Sequence, residues 1–200
     1  MYWTRLENTS LWTKAKAVYE ADPQRLFHNW HHIERRYMHA ELTFGLPYDL
    51  DLDKAILCHD VIYDEHPHKE LRSALWLNEN DPGDSLSAMS HIMATANHAP
   101  GPDNRMVLID LADLMDRARI APDRELVKGE LTALYGISEN DFAAGNADFF
   151  RQMRRHLGDG VLDALPRWER EAFKKIRSGV ETIIDICRAE LEASAPARAT

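Results

Sequence analysis

The chain is short of basic charge: 24 Lys and Arg stand against 33 Asp and Glu, for a formal net charge of −9. Duplex-binding proteins draw most of their affinity from a basic face that neutralises phosphates. Duplex nucleic acid is therefore not an expected partner, whereas a small anion met locally by a metal or a few Arg remains open. Cysteine is scarce as well. Cys58 and Cys187 are the only two, in the apolar runs AILC and IIDIC, and neither forms a Cys-x-x-Cys pair, which excludes zinc-ribbon and dithiol redox motifs. Buried, reduced thiols in a cytoplasmic protein are the expectation. The opening MYWTRLENTS has no apolar run, so no signal peptide is read. No stretch approaches the roughly 20 apolar residues that span a bilayer, so no membrane partner is expected. Alternating apolar and polar residues, the mark of a half-buried strand, are missing too.

What is present suffices for a packed core. Hydrophobic residues make up 44% of the chain, with five Trp, six Tyr and six Phe, which argues against disorder. Two hundred residues fit one domain. No internal repeat, low-complexity linker or composition shift divides it. Helix signals dominate. Asn8-Thr9-Ser10 caps a first helix through about Glu20, and a second is expected from about Pro23 to Phe44, stopped by Gly45. Asp51 or Asp53 caps a third to about Tyr63, and the polar segment DEHPHKE makes a loop before a fourth over Lys69 to Asn80. NENDPGDS breaks the pattern. Ser85 or Asp84 caps a fifth to about His98, and a sixth runs from Asp103 to about Arg119. Pro122 starts a seventh to Tyr135, Ser138 starts another to about His156, and the last spans Asp159 to about Glu192 with a break near Pro166. The tail ASAPARAT is expected to fray. The reading is one all-α domain, with packing of the last 80 residues as a subdomain left open.

Ten histidines are the compositional oddity, and they direct attention to metal chemistry. The dipeptide His59-Asp60 ends an apolar helix, so both side chains project from the edge of a core. Imidazole and carboxylate together suit Mn, Co, Ni, Zn or Fe and do not choose among them. By itself the pair is better read as an ordinary helix-terminal His beside a surface Asp. His28 and His32 are one helical turn apart in FHNWHHI and share a face, with Trp30 and Ile33 turned to the core. His91 and His98 share a face of the fifth helix, and Asp110 and Asp113 lie a turn apart on the sixth. A lone His is more often a satisfied core or surface residue than a ligand. Three helices that each offer His or Asp beside an apolar stripe can surround one centre.

The order His, His-Asp, distant Asp, each on its own helix, resembles the HD superfamily of metal-dependent phosphohydrolases. It resembles more closely a small bacterial group of predicted HD phosphohydrolases. A stretch like R-x-Y-H-N-x-x-H-I is matched by Arg25 to Ile33, and F-H-D-x-x-Y-D by Cys58-His59-Asp60-Val61-Ile62-Tyr63-Asp64. N-E-x-x-S-A is matched in part by Glu70 to Ala74, A-T-x-x-H by Ala94 to His98, and A-D-L by Ala112-Asp113-Leu114. The resemblance covers about residues 20 to 190 and weakens after 120. Departures are Cys58 in place of an aromatic, and two late Asp three apart in place of two apart.

The resemblance implies an HD-type helical bundle with its C-terminal helices packed on the core, a single domain over 1–200. The metal-binding core would cover about 20–120 and the C-terminal helical portion about 121–192. It implies hydrolysis of a small phosphorylated substrate, a nucleotide by family analogy, at a divalent transition metal. The ligands would be His32, His59, Asp60 and Asp113; His32 is preferred over His31, and Asp113 over Asp110, by motif alignment. Glu70 and Asp64 are the candidate general acid or base, with Glu70 ahead. Their ordinary readings are a helix N-terminal Glu and a turn Asp. His28, His98, Arg25, Asn29 and Arg72 are candidates for a second metal or for substrate, with Arg35 a further phosphate clamp. Trp30 is assigned to the core. Two alternatives stand beside hydrolysis. One is an HD-type di-iron oxygenase that cleaves a carbon–phosphorus bond, with His28 and His98 as extra ligands; the other is a non-catalytic regulatory helical domain. Nothing decides between a monomer and a homo-oligomer.

Overall fold

The computed structural model describes residues 3–64, 66–81 and 83–194. Among them there are helices and no strand, so the fold is all-α. The chain divides into two compact units, Met1–Ala112 and Asp113–Thr200. The break falls short of residue 120, where the sequence reading changed from core to C-terminal portion. The frayed tail expected from ASAPARAT begins at Ala193 and extends beyond Ser194, outside the described residues.

The first unit is organised around α3 (Leu50–Cys58), in which every residue from Leu52 to Cys58 is buried. Asp49 starts it, its side chain accepting from the amides of Asp51 and Leu52, so two of the four amides that a helix start leaves unpaired are satisfied. Leu52, Ile56 and Leu57 have no exposure, each contributing about 2 kcal/mol by burial. Around α3 pack α1 (Ser10–Ala21), α2 (Trp30–Met38), α4 (Lys69–Asn80), α5 (Leu86–Ala94) and α6 (Arg105–Asp110). Buried Asp53 ties the N-terminal segment to α3. Its carboxylate accepts from Thr4 Oγ1 at 2.7 Å, the Arg5 amide at 2.9 Å and Tyr37 Oη at 2.8 Å.

Several helices differ from expectation, each for a local reason. The second helix starts at Trp30 and not at Pro23. Asn29 is its cap, accepting from the amides of His31 and His32, so Phe27 and His28 belong to the preceding loop. A five-residue π-helix, His39–Thr43, extends α2. The fifth helix ends at Ala94, and His98 beyond it has a left-handed backbone (φ 49°). The sixth ends at Asp110, where a 3₁₀ turn (Ala112–Met115) takes over. Asp110 and Asp113 are therefore not on one α-helical face.

The second unit consists of that 3₁₀ turn with α7 (Arg117–Tyr135), α8 (Glu139–His156), α9 (Asp159–Leu162) and α10 (Arg167–Ser194). α7 begins at Arg117, ahead of Pro122, because the Asp116 side chain caps the Ala118 amide. α10 packs on α7, α8 and α9 through a stripe that includes Phe173, Ile176, Val180 and Ile184, the recurrence expected of an amphipathic helix. Cys58 and Cys187 are buried free thiols, as expected. No described helix is long and apolar enough to cross a membrane.

Candidate metal centre

The first unit brings together residues from α2, the end of α3 and the end of α6. His32 and His59 are each 1% exposed, and their Nε2 atoms lie 3.2 Å apart. Asp60 Oδ2 is 3.0 Å from His59 Nε2 and 3.4 Å from His32 Nε2. Asp110 Oδ1 approaches His59 Nε2 at 3.6 Å. Among the described residues, His32, His59 and Asp110 form the group whose ligand atoms are close enough to hold one metal ion, with Asp60 Oδ2 against both imidazoles. Nitrogen and carboxylate donors in this number suit a divalent transition metal and leave its identity open.

Local structure explains the convergence. His59 is the C-cap of α3, and its Nδ1 lies 3.0 Å from the Ile56 carbonyl. A carbonyl only accepts, so Nδ1 carries a proton and Nε2 is the nitrogen turned to the cluster, the usual support for a ligating imidazole. Arg25 holds the next turn: its Nη1 and Nη2 donate to the carbonyls of Asp60 and Val61, both at 3.1 Å. Asp110 is anchored from its other oxygen, Oδ2, which lies 2.8 Å from His98 Nε2. Arg36, buried at 3% exposure, reaches both sides of the cluster. Its Nη2 is 3.3 Å from His32 Nδ1 and its Nε 3.5 Å from Asp110 Oδ1. Guanidinium only donates, so in this arrangement His32 Nδ1 accepts and its Nε2 carries the proton.

Electrostatics keep the carboxylates ionised. Burial alone would raise Asp60, but the His59 charge and hydrogen bonds from His32 and His59 hold it well below the usual carboxylate range. Asp110 is likewise depressed against burial, by His98 and Arg36. Burial and the neighbouring Arg36 push His32 well down, leaving a neutral imidazole. For His59, burial opposes the charged form, yet Asp60 and Asp110 prevail and raise it.

The other expected residues are placed as follows. Asp113 is the first residue of the second unit, buried at the start of the 3₁₀ turn; the late carboxylate beside the imidazoles is Asp110. Asn29 caps α2 and donates to the Leu26 carbonyl at 2.9 Å. His28 stacks on Tyr63 with ring centres 3.9 Å apart and lies 5.3 Å from the His32 ring, while Lys69 Nζ sits 4.1 Å over Tyr63. Asp64 binds Arg72 at 2.5 Å and is held below the carboxylate range by that bond, which makes it a poor proton donor. Glu70 is half-buried in the first turn of α4. His91 lies apart, against Asp103. Trp30 is core, its Nε1 donating to Glu34 at 3.1 Å, and Arg35 lies 5.1 Å over Phe27. Arg36 was not singled out from sequence. Its signal is the His32-x-x-x-Arg36 spacing on the face that also carries buried Ile33 and Tyr37. No family model, curated protein or solved structure matches the chain, and the candidate metal centre rests on its donor geometry alone.

Proposed function

We propose that this protein hydrolyses a small phosphoester, a nucleotide by its resemblance to HD phosphohydrolases, at a divalent-metal centre on His32, His59, Asp60 and Asp110. The observation that carries the reading is the approach of two buried imidazole Nε2 atoms to 3.2 Å, with two ionised carboxylates beside them. A divalent ion held there would acidify water and neutralise charge developing on phosphorus. The chain's own part is to fix donors in place. The Ile56 carbonyl sets the His59 tautomer, Arg25 pins the turn that carries Asp60, and His98 orients Asp110. Asp60 keeps 17% of its side-chain surface and Asp110 12%, so the carboxylate side is the accessible one. Glu70 is the candidate for protonating the leaving group, since Asp64 is committed to Arg72.

Elemental analysis of purified protein should find a divalent transition metal, and His59→Ala, Asp60→Ala and Asp110→Ala should each lose it together with activity on a panel of nucleotides. Asp113→Ala should retain both. Full metal in the His59 and Asp110 variants would sink the assignment. The specific observation for an oxygenase is the pair of further histidines near the centre, His98 on Asp110 and His28 beside His32. Oxygen uptake with an alkylphosphonate, in place of oxygen-independent phosphate release under manganese or cobalt, would select that reading.

A further inference from the structure

A row of rings runs from the candidate metal centre to α4. The His28 ring lies 5.3 Å from that of His32 and stacks on Tyr63, with ring centres 3.9 Å apart and planes 21° from parallel. Lys69, the first residue of α4, holds its Nζ 4.1 Å from the centre of the Tyr63 ring. Since His28 covers one face of that ring, the ammonium takes the other. Lys69 is half-buried and makes no hydrogen bond or ion pair among the described residues. The carboxylates beside it do not serve: Asp64 is bound to Arg72, and Glu70 makes no ion pair among the described residues. The face of a ring attracts a cation by about 1 kcal/mol and does not neutralise it.

Arg25 repeats the pattern in the same segment. It is 8% exposed, and both Nη groups donate to backbone carbonyls, those of Asp60 and Val61. Its Nε has no hydrogen-bond partner, and no carboxylate pairs with it among the described residues. Carbonyls satisfy its donors and leave its charge, which is costly when buried without a counter-ion. Residues 60–63 are therefore touched by two cations that no described carboxylate balances, in a chain with a net charge of −9. A local excess of positive charge of this kind favours an anion.

We propose that Lys69 selects the substrate at this centre by pairing with a phosphate carried on the leaving group. The substrate class is then a phosphoester whose leaving group has its own negative charge, as in a nucleoside triphosphate, and not the monoester of a neutral alcohol. The proposal rests on the hydrolase reading above. The row of rings gives the order: the phosphorus attacked lies at the imidazole end, and the leaving group extends past His28 and Tyr63 to the ammonium. Water bonds to phosphorus and releases a proton. The bond to the leaving oxygen breaks with its electron pair, and Glu70 protonates that oxygen and regains its proton from solvent. Lys69 meets a group that is charged before and after this step, so it acts through binding and not through the barrier.

The test is steady-state hydrolysis, by the intact manganese-loaded protein, of the common ribonucleoside 5′-triphosphates and the matching 5′-monophosphates. The triphosphate should be preferred in kcat/KM by at least about tenfold. Lys69→Gln should cut that preference about tenfold, through a raised KM for the triphosphate with kcat nearly kept. Lys69→Arg, which keeps the charge, should recover most of it, and Lys174→Gln, which removes an exposed charge from α10, should not change it. Metal content should match the wild type throughout. An equal loss on both substrates in Lys69→Gln would mean that Lys69 only supports Tyr63, and would overturn the proposal; so would a wild type that prefers the monophosphate. Turnover with a preference unmoved in Lys69→Gln overturns the proposal alone. No hydrolysis of any of these nucleotides by the metal-loaded wild type overturns the hydrolase reading and the proposal with it.

Discussion

Arg36 in the first unit and Arg124 in the second are both buried cations, 3% and 6% exposed, yet their surroundings differ in kind. Arg124 is fully engaged. Its two Nη atoms bind the Glu190 carboxylate at 2.6 Å each, its Nε donates to Asn146 at 3.2 Å, and its guanidinium lies 4.8 Å over Phe142. That is a bidentate tie between α7 and α10. Arg36 instead contacts His32 and Asp110, two residues of the group that could hold a metal, at the looser distances of 3.3 and 3.5 Å. The same residue type closes a structural pair in one unit and touches candidate ligand atoms in the other. More generally, buried titratable groups of the first unit cluster around its two imidazoles, whereas α10 in the second is held by an apolar stripe and a close backbone approach at Gly179.

The largest expected effect tests that last point. A Cβ at Gly179 on α10 would run into the Leu114 carbonyl, a backbone group that cannot swing aside. Gly179→Ala should cost about 3 kcal/mol, read as lost amide-exchange protection on α8 and α10. Unchanged protection would mean that the second unit does not depend on this approach. The counterpart in the first unit is Asp53→Ala, which takes the acceptor from the Thr4 hydroxyl and the Arg5 amide and leaves Tyr37 Oη only its longer bond to the Asp53 carbonyl. It should cost about 2–3 kcal/mol and loosen the N-terminal segment on α3 first. A cost spread evenly over both units would erase the contrast.

Much of this was legible in the sequence. α4 matches its expected bounds, and Thr9, Ser138 and Ser85 stand at the helix starts assigned to them, because caps and breakers act locally. The pair His32 and His59-Asp60 was legible as well, since each ends or faces an apolar run. What was not legible depends on local competition. Asn29 within FHNWHH caps α2 and so removes His28 from the helix. The 3₁₀ turn after Asp110 breaks the periodicity that made Asp110 and Asp113 look equivalent. α6 stops after the buried run Met106 to Ile109, and the carboxylate of Asp110 at its end lies 3.6 Å from His59 Nε2. Arg36 was missed because long basic side chains on helices are usually solvated.

Exchanging the two arginines for methionine sharpens the comparison. Arg36 places a positive charge beside Asp110 and donates to His32 Nδ1, which keeps a proton on the Nε2 that a metal needs. Arg36→Met should therefore tighten metal binding, by about tenfold on competition with a chelator. Arg124→Met should leave metal affinity alone and cost about 1 kcal/mol, since the Glu190 left behind is 39% exposed and can be solvated. Weaker metal binding in Arg36→Met would recast that residue as a support of the ligands and not a competitor.

The smallest effect concerns His98. Its left-handed backbone sets it beyond the end of α5, and its Nε2 meets Asp110 Oδ2 at 2.8 Å, on the oxygen opposite the one facing His59. If His98 only completes the end of the helix, His98→Ala costs about 1 kcal/mol of stability and leaves turnover intact. If it orients Asp110, the carboxylate gains a second set of rotamers and the ion keeps its site with a less fixed ligand. Turnover should then fall about tenfold, which is about 1.4 kcal/mol of transition-state stabilisation, while metal content stays near that of the wild type. His98→Gln, which keeps a donor within reach of Oδ2, should restore part of the loss. A variant with wild-type turnover removes His98 from the centre; one that loses its metal promotes it from orienting a ligand to being one.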